Sequence, residues 1–333
     1  MAGRLRRSDV NSPGLRRQRR GQGWRYLTAD GRSVGREETA RINALAIPPA
    51  WEDVWICPFP HGHIQAVGTD AAGRRQYLYH DRWRQDRDEE KHERVLGLAR
   101  KLPVFRSTVE DDLAGRGLTA RRVLAGALRM LDRGVFRTGG DQYAEESRGV
   151  ATLLRGDVRV QRGEILFDYV AKGGVDRRVR VHDDKLATLV TALRRGRSDD
   201  DRLLAYREGD ATCVVHAEDI NRRLQEIVGA EFTAKDLRTW HATVLAAVII
   251  AGYDQPASET ARKRTEKEVL RAVAEQLGNT PAVARRSYVD PRVFTAFADG
   301  RTVERALRRV RGRSIEDARP DIERAVTRLL REY

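Results

Sequence analysis

The chain of 333 residues carries 63 Lys and Arg against 49 Asp and Glu, a formal net charge of +14, with 40% apolar and 34% charged residues. That is apolar material for one large core or two ordinary ones, and too much for wholesale disorder. Two cysteines exclude a disulfide scaffold and a four-Cys zinc site, and the longest apolar run, 242–251, is about half a membrane span. No apolar segment follows the charged N-terminus as a secretory signal requires, so the expected place is the cytoplasm, nucleoid-associated if the partner is DNA. Only seven of the 63 cations are Lys. A GC-rich genome accounts for much of such a bias. Polyanion binding accounts for it too, because guanidinium forks match phosphate oxygens two at a time.

Residues 1–25 hold eight Arg against one Asp, with Gly14, Gly21 and Gly23 among them, and read as a basic arm that gains order on its partner. Residues 26–83 read as a small α+β DNA-binding domain, with a helix over 36–45 and strands at 54–56, 63–67 and 76–79 between turn signals. Cys57, His61 and His63 have metal-like spacing but lack a fourth ligand nearby. Residues 84–333 read as a larger, mainly helical domain. Helices are predicted over 82–102, 104–114, 119–134 and 141–154. A β meander follows over 157–161, 164–171 and 175–181, turning at Arg162-Gly163 and Lys172-Gly173-Gly174. Helices resume over 183–195, 216–228, 233–251, 257–278 and 281–288, with two more to the end.

Some residues stand where chemistry is possible. Thr233 with Asp236 makes a capping box, so Lys235 and Arg238 lie one turn apart at the N-terminus of a helix whose remainder is buried. Two cations there oppose the helix dipole unless an anion binds between them. Thr280-Pro281 starts another helix, on which Tyr288 sits about two turns along, after Arg285 and Arg286. A Tyr so placed is either a surface residue or a nucleophile whose phenolate is favoured by nearby cations, and spacing does not choose. Lys172 is at a hairpin tip, where most lysines face solvent. Arg137 follows a helix at a Gly-rich turn, a common place for a C-terminal cap. Gly73-Arg-Arg-Gln76-Tyr77-Leu-Tyr79 interleaves cations, an amide and aromatics at strand spacing, which suits phosphate and base-edge contacts in a groove.

Taken in order, Arg137, Lys172, Lys235-Asp-Leu-Arg238, Asn279 and Tyr288 nine residues on resemble the type IB DNA topoisomerases, above all their compact poxvirus-like and bacterial branch. Ile47-Pro-Pro-Ala-Trp51, Val54-Trp55-Ile56, Ile64-Gln-Ala and Gly73 to His80 share in the resemblance, which spans nearly the whole chain. It implies an α+β fold: a small N-terminal β-rich domain and a larger, mainly α catalytic domain with a short β meander, forming a C-shaped clamp. It implies a monomer acting on double-stranded DNA, relaxing supercoils without ATP through a transient 3′-phosphotyrosyl link. By the same resemblance Tyr288 is the nucleophile, and Arg137 and Arg238 hold the non-bridging oxygens. Lys172, on a mobile hairpin, protonates the leaving 5′-oxygen with help from Arg137. Lys235 supports the scissile phosphate, and Gln76, Tyr77 and Tyr79 contact the major groove. Asn279 stands where poxvirus enzymes carry His, so it donates a hydrogen bond without titrating.

The sequence holds no Gly-x-x-x-x-Gly-Lys-[Ser/Thr] phosphate cradle and no convincing carboxylate cluster for magnesium, in keeping with a reaction that needs no cofactor. Two alternatives share parts of this pattern. A site-specific tyrosine recombinase has the same nucleophile and arginines, but usually His where Lys235 stands. A non-enzymatic DNA-binding protein would use the basicity alone.

Overall fold

The computed structural model describes residues 4–134, 136–145, 147–196 and 198–333, which fold as two compact units, one up to Lys91 and one from His92. The first contains β1 (Leu15–Arg20), β2 (Gly23–Leu27), α1 (Arg36–Ala44), β3 (Glu52–Ile56), β4 (Ile64–Thr69) and β5 (Arg75–Tyr79). The strands form one antiparallel sheet in the order β2-β1-β3-β4-β5. Leu15, Tyr26, Ile42, Val54, Ile56 and Ala66 make its core.

The basic arm is the largest departure from expectation. Its second half is the hairpin that opens this sheet, and the chain before it is pinned too, Arg6 bonding the backbone of His61 and His63 at 2.9 Å each. Residues 1–3 of the expected arm lie outside the described residues. Leu15 is the one apolar residue of β1, so the strand has no period-two hydrophobic signal. Gly21 turns the hairpin at φ +59°, and the half-buried Arg17 is satisfied by loop carbonyls, Pro48 at 2.8 Å among them.

A single helix, α2 (Asp81–Leu113), replaces the two predicted around Pro103. Pro103 forfeits one backbone bond, but burial of Leu102, Phe105, Val109 and Leu113 holds the helix through it. The expected boundary at 83/84 falls inside this helix. After α3 (Ala120–Gly134), the predicted helix at 141–154 is absent among the described residues, Glu146 lying outside them; two 3-10 turns, Asp141–Tyr143 and Val150–Thr152, stand there instead. The chain must fold back at this point. Val150 N–H donates to Arg137 O at 2.9 Å and Ala151 N–H to Thr138 O at 2.8 Å, a pairing no continuous helix allows.

The meander appears as predicted: β6 (Val158–Gln161), β7 (Glu164–Ala171) and β8 (Val175–His182), antiparallel in that order. Next come α4 (Asp184–Arg194) and a hairpin that sequence reading missed, β9 (Ala205–Glu208) and β10 (Ala211–Val214), whose four-residue strands are too short to show a period. The rest is helical: α5 (Ala217–Val228), α6 (Ala234–Ile250), α7 (Glu259–Leu277), α8 (Pro281–Ser287), α9 (Arg292–Ala298), α10 (Glu304–Arg309) and α11 (Ile315–Arg331). Three helices thus follow Tyr288 where two were expected. In the core of this unit α6 is buried along most of its length, with Trp240 fully enclosed.

Candidate active site

The second unit has a cavity of about 250 Å³ where α3, β7–β8, α6 and α8 end or begin. Arg137, Lys172, Lys235, Arg238 and Tyr288 all line it, joined by Ser147 and Arg148, which sequence reading did not single out. Among the described residues its lining includes five cationic side chains and no carboxylate.

Each side chain is held by local structure that the sequence dictates. The capping box at the start of α6 forms as predicted, the Asp236 carboxylate accepting from the Thr233 backbone N–H at 2.9 Å. Arg94 reaches the other oxygen of Asp236 at 2.8 Å, so the cap is itself neutralised. Arg238 is 5% exposed. Burial foremost, then repulsion by Arg137, lowers its guanidinium to about 10, while Tyr288 pulls the other way. It remains charged at neutral pH, a buried cation beside other cations, which is the electrostatic state an arriving anion relieves. It donates to Leu277 O at the end of α7, and its Cζ lies 5.3 Å from the Tyr288 ring centroid.

Tyr288 closes α8, whose N-terminus is capped by Thr280 Oγ1, accepting from Val283 N–H at 3.3 Å. The Tyr288 carbonyl accepts from Thr243 Oγ1 at 3.2 Å, and that hydroxyl accepts from Asp290 N–H at 3.1 Å, so α6 fixes the backbone on both sides of the Tyr. Thr243 could have been found from the sequence only as a polar residue in a buried helical run. Asn279 follows the left-handed Gly278 that ends α7, and its Oδ1 accepts from Arg137 Nη2. Its Nδ2 is buried with no hydrogen-bond partner among the described residues, a donor that a ligand oxygen could satisfy. Lys172 is the first residue of the turn between β7 and β8, where Gly173 and Gly174 adopt φ +84° and +71°.

The predicted groove contacts separate. Tyr77 and Tyr79, 40% and 37% exposed, share one face of β5 with their rings stacked at 6.1 Å. Gln76 alternates to the face of Leu78, and its Nε2 donates to Asp70 Oδ2 at 2.9 Å. The Asp70 carboxyl is held down to about 2 by hydrogen bonds, first from Arg74. Gln76 is therefore occupied within its own unit rather than displayed beside the tyrosines.

A cavity lined, among the described residues, by five cations and a tyrosine and by no carboxylate suits a protein that handles a phosphate ester. Comparison with known proteins agrees. Residues 23–70 match the family described as bacterial DNA topoisomerase IB, N-terminal domain, and residues 80–309 match eukaryotic DNA topoisomerase I, catalytic core. A "DNA topoisomerase 1B" of Acanthamoeba polyphaga mimivirus is 29% identical over 287 residues, covering 83% of this chain and 85% of that protein. The chain belongs to the type IB DNA topoisomerase family and is an enzyme of the isomerase class. Among the described residues no helix is long and apolar enough to cross a membrane.

Proposed function

We propose that the protein relaxes supercoiled duplex DNA by cutting one strand through Tyr288 and resealing it. The Tyr288 oxygen attacks a backbone phosphorus, the bond to the 5′-oxygen breaks, and the strand is left as a 3′-phosphotyrosyl ester with a free 5′-hydroxyl. The phenolic proton leaves to water, and Lys172, aided by Arg137, supplies a proton to the departing oxygen, which is a poor leaving group as alkoxide. Arg137 and Arg238 hold the two non-bridging oxygens, where charge builds in the transition state, with the Asn279 amide and Lys235 in support. Energy is kept in the ester, so resealing needs no ATP, and supercoil strain sets the direction. Tyr77 and Tyr79 are read as groove contacts of the first unit. Gln76 would join them only by giving up Asp70.

What carries this reading is the gathering of Tyr288 and five cations at one cavity, with no carboxylate among its described lining residues. Arg137, Lys172, Lys235, Arg238 and Tyr288 of one chain line the same cavity, an arrangement compatible with action as a monomer, and the substrate we propose is nucleoid DNA. The test is plasmid relaxation with EDTA present and ATP absent. Wild-type protein should relax the plasmid fully, and Tyr288→Phe should bind it as tightly and relax none. Relaxation that requires ATP or a divalent ion, or that survives in Tyr288→Phe, would overturn the proposal.

A further inference from the structure

Arg177 lies on β8, five residues beyond Lys172, and was not part of the expected site. It faces the buried Tyr169 across the β7–β8 ladder. Burial raises the Tyr169 hydroxyl, and the Arg177 charge, with a hydrogen bond donated by that guanidinium, opposes the shift. On its other side the Arg177 guanidinium leaves the sheet. Nη1 donates to Gln276 O at 2.8 Å and Glu275 O at 3.2 Å, both in the last turn of α7. Glu275 O also accepts from Gly278 N–H at 3.2 Å, so Arg177 shares in capping the end of α7, where a cation complements the helix dipole. The next turn, Gly278, packs against the stem of the same side chain, since a Cβ there would come 3.2 Å from Arg177 Cδ. The residue after it is Asn279, bonded to Arg137.

Arg177 therefore joins two pieces of the site that are far apart in sequence: the hairpin that carries Lys172 and the turn that carries Asn279. The hairpin needs such a tie. Tyr169 and Ala171 anchor the β7 side in the core, but the tip itself is Lys172 and two glycines, with Val170 and Val175 44% and 40% accessible, so apolar burial holds only one face of the hairpin's end. We infer that Arg177 is a positioning residue, a clasp that docks the β7–β8 hairpin on the end of α7 and so sets where the Lys172 ammonium stands over the leaving oxygen. The inference rests on the proposed role of Lys172 in the cleavage reaction.

The test is single-turnover cleavage of a duplex with one mapped cleavage site, at saturating protein, with either oxygen or sulfur as the bridging 5′ atom. Sulfur leaves without needing a proton. Arg177→Ala should slow cleavage of the oxygen substrate by about 10²-fold, the scale of a misplaced catalytic group, and cleave the sulfur substrate nearly as fast as wild type. Arg177→Lys, which keeps one donor to the helix end, should recover part of the loss. Equal slowing on both substrates, or no slowing on either, would overturn the inference. Lys172→Ala is measured alongside. If sulfur fails to rescue Lys172→Ala, the general-acid reading is what fails, and the clasp is then judged by the double variant. Lys172→Ala/Arg177→Ala no slower than Lys172→Ala alone keeps Arg177 acting through Lys172, whereas an additional loss contradicts it.

Discussion

At the scale of single residues the site is a problem of buried charge. Arg238 is enclosed, repelled by Arg137, and pushed down to about 10, which still leaves it protonated at neutral pH, and it lies against the Tyr288 ring and a helix-end carbonyl. A preformed donor of this kind is worth most where charge develops. Arg238→Ala should lower the single-turnover cleavage rate by about 10²–10³-fold, in the range for loss of one oxyanion-type donor, and a sulfur leaving group should not restore it. Full rescue by sulfur would instead place Arg238 in the proton delivery. The ordered motif Arg137, Lys172, Lys235, Arg238, Tyr288 was legible because each member sits at a helix start, a helix end or a hairpin tip, places that local sequence marks. Arg177 and Thr243 were not legible. Their partners are backbone carbonyls and amides of segments far along the chain, and no local pattern announces those.

At the scale of elements, α11 does what no motif suggested. Arg106 of α2, Asp132 of α3, His241 of α6, and Arg319 and Glu323 of α11 meet in one buried cluster. Arg319 Nη2 donates to Asp132 Oδ1 at 2.8 Å and lies 2.7 Å from His241 Nε2, while Arg106 bridges Asp132 and Glu323 at 3.1 and 2.8 Å. Burial works to raise the Asp132 carboxyl, but Arg319, His241 and Arg106 outweigh it and hold it well below its usual range. Arg319→Met leaves that carboxylate short of charge and should cost about 3–5 kcal/mol of stability in a denaturant melt, the range for breaking a buried pair. A loss under ~1 kcal/mol, the worth of a surface pair, would show the cluster to be solvated.

The cluster also predicts a pH dependence. Burial lowers the His241 imidazole below its ordinary 6.5, so the unfolded chain binds the proton more readily than the folded one. Its contribution is present above about pH 6.5 and is lost as pH falls through that value. The melting temperature should fall as pH drops from 7 to 5, and His241→Gln should fall less over that interval. Parallel curves would show that His241 does not titrate differently on folding. Capped, periodic helices such as α6 and α7 could be read from the sequence. Strand β1, with one apolar residue, and the 3-10 turns at 141–143 and 150–152 could not, because pairing with Ile56, Trp55 and Arg137 across the chain decides them.

At the scale of the molecule, the charge of +14 predicts binding led by phosphates. The log of affinity should fall linearly with log salt, with a slope of about −0.9 per phosphate neutralised. Because β1 is a sheet strand rather than a loose arm, removing it would unfold the sheet, and the sharper probe is substitution of its exposed Arg16 and Arg20. Arg16→Gln/Arg20→Gln should make the slope shallower and leave single-turnover cleavage at saturating DNA unchanged. An unaltered slope would mean that β1 does not meet the DNA.

The central claim, that Tyr288 is the nucleophile and keeps the 3′ end, is tested most directly by trapping the covalent complex. A duplex whose downstream strand dissociates after cleavage is incubated with the protein in EDTA without ATP, and the adduct is digested and mapped by mass spectrometry. The prediction is one modified peptide, joined through Tyr288 to a 3′-phosphate, with a free 5′-hydroxyl on the released strand and no adduct in Tyr288→Phe. An adduct on another residue, a link to a 5′-phosphate, or an adduct that persists in Tyr288→Phe would contradict it.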